Sequence, residues 1–447
     1  MANVVRQLRD WLLEKRPFRI KRMGKDADYS SEVGDVLESL PADLAEQLTT
    51  LVDELPSHPG DKAAVKEALS EAIARWQENP SGTNNSLVVI GSPVAAVARI
   101  LTESLSPWVE DHDLPLQLLD WVNRPLDTQK IQSRLQDDLA PEEDNGTSIA
   151  IIPDLSWCFL RTAEGLDGID YLRDGLLSNP YQFWVIGSGQ VGFRYLNCVL
   201  KLEAHCSQLL LLPRLSGEQL KDWLTPIIEA LDVRLDEDSI QERLQTLGEE
   251  QLEASSLSTV SVLVEELWAS IKSVFRGVKD DALKPLRPDA SPGVEWKDYF
   301  ERLADLSDGV STVALQLFVK SIYYEEIDSE LQRELLDAVE STEDSVEDYI
   351  DFEPPPPHRI IAKLPKLPRL PQLEQTDLYV LYSLLVHGSL TLTALAETLG
   401  EERQLVNDAV QIMRGKGIIE QQQNTVKVNP AHYPRLKRKL ASNNFII

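Results

Sequence analysis

The sequence predicts an α/β protein: a five-stranded parallel core, a helical lid, an N-terminal helical segment and a small C-terminal module of helices and short strands. Three observations predict it. Five short apolar runs, SLVVIG (86–91), LPLQLLDW (114–121), TSIAIIPDL (147–155), YQFWVIG (181–187) and QLLLLP (208–213), are bounded by turn residues and separated by segments long enough for crossover helices. After them the spacing of apolar residues turns helical. A proline-dense stretch then sets off the end of the chain, where helical and alternating patterns succeed each other at short intervals.

At 447 residues the chain has room for several domains, each able to bury a core without disulfides or metal. Residues 1–27 form a basic segment, VVRQLRDWLLEKRPFRIKRMGK at its centre, with Val4, Val5, Leu8, Trp11 and Leu12 at roughly helical spacing before Pro17. Such a segment either packs on its own domain or lies on an anionic membrane or a partner. A helical region fills 28–83, with two amphipathic helices over 41–78; the second takes Asp61 as N-cap and Val65, Leu69, Ile73 and Trp76 as its apolar face. The α/β core spans 84–215 and the helical lid 216–351, where STVSVLVEELWASIKSVF and VSTVALQLFVKSIYYEEI read as the best helices. The linker is 352–375, FEPPPPHRIIAKLPKLPRLPQLEQ, extended and semi-rigid because proline removes donors and fixes φ. Pro365, Pro368 and Pro371, three apart with basic neighbours, also suit a polyproline ligand. From 376 the order is helix, brief strand, helix, helix, two strands, which is that of a winged helix-turn-helix.

Charge limits the partners. The chain holds 44 Lys/Arg and 73 Asp/Glu, a formal charge of −29, which disfavours nonspecific attraction to nucleic acid or anionic lipid. Residues 1–27 carry eight basic against three acidic residues and 354–447 twelve against seven, so the stretch between holds about −39. Polyanion contacts therefore belong at the termini. Cys158, Cys198 and Cys206 have no paired spacing and suit a reducing compartment. With no run of 18 apolar residues and no secretory leader pattern, the expected location is cytoplasmic, with the inner face of a membrane within reach of residues 1–22.

The run SLVVIGSPVAAVARIL places Gly91 at a strand end before a helix, the setting of a phosphate cradle. The chemistry of such a cradle is missing. Val97 stands where a lysine would meet the β- and γ-phosphates, Ala98 where a hydroxyl would hold Mg²⁺, and Pro93 lacks an N–H donor. Asp154 closes the third apolar run, where an acid helps to position Mg²⁺, but Leu155 comes next in place of a water-orienting glutamate. The bland reading of Asp154 is a helix cap. Gly187-Ser188-Gly189-Gln190-Val191-Gly192 spells a dinucleotide fingerprint, yet the next strand ends in Pro213-Arg214 with no acid for a ribose, so its glycines read as a tight turn. No catalytic triad, metal spacing or nucleophile elbow is found.

In the C-terminal module the presumed recognition helix, EERQLVNDAVQIMRGKG (401–417), mixes acids with Arg403, Gln404, Asn407, Gln411 and Arg414. These residues, with Arg435, Lys437, Arg438 and Lys439 for phosphates, are candidate contacts to DNA or to a protein partner.

The set of Gly91 loop, Asp154 at a strand end, Ser188 after the fourth strand, helical lid and winged helix resembles P-loop ATPases of the AAA+ and STAND kind over roughly residues 84–447. The resemblance implies a polar sensor at Ser188 and a lid helix opening near SDGVSTVALQLF (307–318). Ala96, Val97, Ala98 and Leu155 depart from the family's nucleotide motifs. The implied function is a pseudo-ATPase that binds a protein partner as adaptor or scaffold, with no cofactor required and at most weak binding of ATP and Mg²⁺. The alternatives are a DNA-binding regulator and an NTPase built on a nonstandard site. Partner and oligomeric state stay open.

Overall fold

In the computed structural model, which describes residues 40–79, 84–111, 115–121, 124–125, 127–139, 147–236, 294–326, 358–422 and 424–447, the first apolar run forms strand β1 (Ser86–Gly91). The other runs give β2 (Leu116–Leu118), β3 (Ser148–Ile152), β4 (Gln182–Gly189) and β5 (Gln208–Leu211). All pair in parallel, in the order β2-β3-β4-β1-β5. This is the α/β core that the sequence predicts.

The aliphatic runs are continuous because both faces are covered. Leu87, Val89, Ile149, Ile151, Phe183 and Val185 face the helices α2 (Pro59–Glu78) and α3 (Val97–Asp111), packing with Val65, Leu69, Trp76 and Leu101. The alternate residues Val88, Ile90, Ala150, Ile152, Trp184 and Ile186 face α4 (Ile131–Asp138), α5 (Asp167–Ser178) and α6 (Gln190–Leu200). Each fully buried side chain of this size contributes about 1.5–3 kcal/mol. With β4 inserted between β3 and β1, the carboxyl ends of β1, β3 and β4 lie side by side. That is where open α/β sheets place their crevice.

Before the core, α1 (Ala42–Glu54) precedes α2. Asp61 does not cap α2, contrary to expectation: Pro59 opens the helix and His58 is the cap, its Nδ1 accepting from the Gly60 N–H at 2.9 Å. Asp61 instead lies buried in the first turn, where its Oδ2 accepts from Ser311 Oγ at 3.4 Å.

After the core, α7 (Gly217–Ala230) starts on a capping box between Ser216 and Gln219 and packs on α8 (Val294–Ser307), which leads to α9 (Ser311–Lys320). Strands do not stop here as expected. The run SIYYEE, rich in β-branched and aromatic residues, leaves the helix and forms β7 (Ile322–Glu326). It joins β6 (Val233–Leu235) and β8 (His358–Ala362) in a second sheet of order β6-β8-β7. The helix expected over STVSVLVEELWASIKSVF and the basic segment 1–27 lie outside the described residues.

Part of the proline-dense stretch is thus a strand. Beyond β8 the chain is extended but pinned. The sequence KLPKLPRLPQL repeats every three residues, the period of a polyproline helix. Lys363, Lys366, Arg369 and Gln372 are exposed, whereas Pro365 and Pro368 are buried, Pro371 is half-buried, and Leu364, Leu367, Leu370 and Leu373 pack against the core. Arg302 Nε donates to the Pro365 carbonyl at 3.0 Å, and the Lys363 N–H to the Ser321 carbonyl at 2.8 Å. Burial of these prolines corrects the polyproline-ligand alternative, because the residues such a ligand presents face inward.

The chain ends in α10 (Gln375–His387), β9 (Ser389–Thr391), α11 (Leu392–Leu399), α12 (Arg403–Gly415), β10 (Ile419–Gln422), β11 (Thr425–Val428) and α13 (Tyr433–Ala441). The small sheet runs β10-β11-β9, antiparallel throughout. This arrangement is consistent with a winged helix.

Candidate functional site

The loop 92–96 joins β1 to α3 at the crevice. Parallel pairing sets Gly91 beside Gly189 and Ile90 beside Ser188. Val97, only 6% exposed, turns back onto this edge. A Cβ built on Gly91 would come within 2.5 Å of Val97 Cγ2, and one on Gly187 within 3.4 Å of Val97 Cγ1. The valine methyls therefore lie beside the carboxyl ends of β1 and β4. Pro93 lies over Gly189, whose Cβ would stand 3.3 Å from the proline Cα. The Val94 carbonyl is taken by Thr312 Oγ1 of α9 at 3.0 Å, so the lid holds the loop down.

The other fingerprint glycines are packing positions. Gly187 and Gly189 lie inside β4, so the expected tight turn is absent. A side chain on Gly187 would strike the Pro153 carbonyl at 2.2 Å, and one on Gly192 the Val386 carbonyl of α10 at 2.4 Å. Ser188 is buried, its hydroxyl directed to its neighbour's carbonyl, Gly189 O, at 3.3 Å. Ala98 is partly buried against the same core.

Asp154 caps the short 3₁₀ turn Leu155–Cys158 by accepting from the Ser156 N–H at 2.9 Å. Leu155 is a core residue. Near this cap the half-buried Arg124 donates to the Phe159 carbonyl at 3.1 Å. Burial pulls its guanidinium down to about 10, while the Asp154 carboxylate opposes the fall. The same burial pushes up the thiols of Cys158 and Cys206, the latter to about 12, which leaves neither suited to nucleophilic work.

Sequence reasoning missed a polar seam between core and C-terminal module. Arg161 donates to Ser383 Oγ at 2.9 Å and to the Thr398 carbonyl at 3.4 Å, and its backbone N–H meets His387 Nε2 at 3.3 Å. The His387 ring lies 4.6 Å from that of Phe159. Desolvation, aided by Arg124 and Arg161, holds His387 well below the usual histidine range. A second buried histidine, His432, is drawn down to about 4 by burial and by Lys320 and Arg435. Beside it, burial pushes the Tyr433 phenol up to about 12, against a smaller opposing effect of the Ser92 side chain. Nothing in the local sequence around Arg161, Thr312 or Tyr433 marks these long-range contacts.

The candidate DNA or partner contacts divide. Arg403, Gln404 and Gln411 on α12 are exposed, as are Arg438 and Lys439 on α13. Asn407 and Arg435 are half-buried, and Arg414 donates to Gln421 Oε1 of β10 at 2.9 Å. Lys437 is engaged elsewhere, its amine 2.8 Å from Asp308 Oδ2 at the turn before α9. Arg214 shares that carboxylate at 2.9 Å. A recess of about 440 Å³ opens there, lined by Arg214, Ser216, Gly217, Glu301, Asp305 and Asp308. Three acids against one arginine make it a poor seat for phosphates. Among the described residues no cluster of His, Cys, Asp or Glu could hold a metal ion, and no helix is long and apolar enough to cross a membrane.

No protein-family model and no curated protein matches the chain. Solved structures similar to it include the RuvB Holliday junction branch migration motor of Thermotoga maritima, at 13% identity over 83% of this chain and 93% of that one, TM-score 0.28. The ORC2 protein of Aeropyrum pernix is similar at 10% identity over 84% and 92%, TM-score 0.32. Cdc6p of Pyrobaculum aerophilum is similar at 11% over 88% and 96%, TM-score 0.29. Superpositions this loose add nothing to the fold assignment, which rests on the parallel strand order and the helices covering both faces.

Proposed function

We propose that the chain is a non-catalytic AAA+-like pseudo-ATPase that acts as a protein-binding adaptor or scaffold through its core and C-terminal module. One observation supports the reading: position 97, where a phosphate cradle would carry its lysine, holds a buried valine whose methyls lie beside Gly91 and Gly187. A Mg·nucleotide does not fit the residues present. Position 97 offers no cation, position 98 no hydroxyl and position 93 no N–H, while Leu155 cannot orient water. With nothing to stabilise transferred charge, the crevice serves as a joint between core, lid and C-terminal module. Steady-state phosphate release from ATP and GTP tests this directly. Background rates are expected; turnover abolished by Asp154→Asn would restore the alternative of an NTPase with a nonstandard site.

A second reading, a DNA-binding regulator, keeps support from the exposed Arg403, Gln404, Gln411, Arg438 and Lys439. Against it stands a body of about −39 between residues 28 and 353, which repels duplex. Random-sequence duplex should bind poorly at physiological salt. Tight binding weakened for certain sequences by Arg403→Ala with Asn407→Ala would replace the adaptor reading.

A further inference from the structure

We infer that the outward stripe of α12 made by Leu405, Asp408 and Ile412 is a docking face for a cationic amphipathic helix of a partner protein. The inference rests on the adaptor reading and names the chemistry of the partner. Helix α12 has already satisfied its core: Val406, Val410 and Met413 are buried against α10, α11 and β10. Leu405 and Ile412 nevertheless stand 59% and 57% exposed. Seven residues apart, they lie two turns apart on one side, with Asp408 three residues after the first. Scattered apolar side chains need no explanation, but two large aliphatics aligned on a helix whose packing face is already complete make a row.

The charge around the row selects what covers it. Glu401 and Glu402 are exposed at the start of α12, Asp408 is exposed within the row, and Glu397 is exposed on the preceding helix. Arg403 and Arg414, with Asn407 between them, sit on the opposite flank at helical spacing, and Arg414 is tied to Gln421; the one cation on the row's side is the exposed Lys416, four residues after Ile412, against the four carboxylates. Phosphates of DNA or of anionic lipid brought against the row would meet carboxylates. A helix with leucine-like residues at i, i+3 or i+4 and i+7, flanked by lysine or arginine, matches both features: the aliphatics bury against Leu405 and Ile412, and the cations face the acids.

The test uses the full chain and a synthetic fluorescent peptide with leucine at helical spacing and lysine elsewhere, at physiological salt. Saturable binding is expected, weakened about tenfold or more by Leu405→Ser with Ile412→Ser, since two half-exposed aliphatics lose their contacts. A peptide with serine in place of leucine should bind no better to the native chain than to that variant. Both positions are exposed, so the variant should melt like the parent; Leu405→Lys provides a second variant that opposes the peptide's charge. Equal peptide affinity for native chain and double variant would overturn the inference, because attraction would then be charge alone. So would sedimentation showing a dimer of the unliganded chain that the same substitutions dissociate, or duplex DNA that competes with the peptide and is weakened by them. Failure here with background phosphate release would end the docking face and leave the non-catalytic reading intact. ATP turnover with intact peptide binding would do the reverse.

Discussion

Val97 and Asp61 are both buried, the first at the ends of β1 and β4 and the second against α9. Val97 acts by apolar contact: its methyls lie beside Gly91 and Gly187 in a buried seat. Val97→Lys should therefore lower stability, on the order of 3 kcal/mol for an ammonium forced into an apolar seat, without creating ATP turnover. Thermal melting and phosphate release check it; a stable variant that gains turnover would show the seat to be open. Asp61 ties α2 to α9 through Ser311, and burial pushes its carboxyl up to about 6 from 3.8. A group whose folded value is raised favours the fold most when protonated, so its contribution is complete below about pH 3.8 and is lost as pH rises through about 6. Asp61→Asn should accordingly stabilise the protein at pH 8, by on the order of 3 kcal/mol at most, and make no difference at pH 4. Melting curves at the two pH values decide; equal shifts at both would remove the linkage.

Among the elements, the KLP repeat shows what local chemistry reveals and what it conceals. Its extended conformation is legible, since every third residue is proline. Its docking is not, because only the tertiary structure turns one edge of a three-residue repeat toward the core and leaves Lys363, Lys366 and Arg369 on the outer side. Strand β8 is concealed for a related reason: RIIA is short, comes after four prolines, and gains its partners from segments distant in sequence. The aliphatic runs of the parallel sheet are legible because a strand buried on both faces needs no alternation. Gly91, Asp154 and Ser188 can each be placed at a strand end from the sequence alone, whereas the strand order that makes them neighbours, and the contacts of Thr312 with the loop and of Arg161 with His387, depend on segments distant in sequence. For the KLP segment the expected outcome is resistance: trypsin should cut slowly after Lys363 and Lys366 in the native chain. Leu364→Ser with Leu367→Ser should release the segment and speed cleavage there. Equal rates in both proteins would mean that the leucines do not pin it.

At the scale of the whole molecule, the lid and the C-terminal module close over the strand ends through a few buried polar groups, and those groups make the closure sensitive to acid. His387 and His432 are held below their ordinary range, so the unfolded or opened chain takes up protons more readily. Stability should fall as pH drops from about 6.5 towards about 4, because the two histidines together outweigh the opposite contribution of the single Asp61, with the seam around Arg161 losing hydrogen-exchange protection first. Uniform loss of protection across the sheet would point to ordinary global unfolding instead. The central claim, that the crevice is a joint and no nucleotide seat, is tested most directly by calorimetric titration of the full chain with Mg·ATP. No saturable heat up to millimolar nucleotide is the predicted result. Saturable one-to-one binding in the micromolar range, abolished by Asp154→Asn, would contradict it.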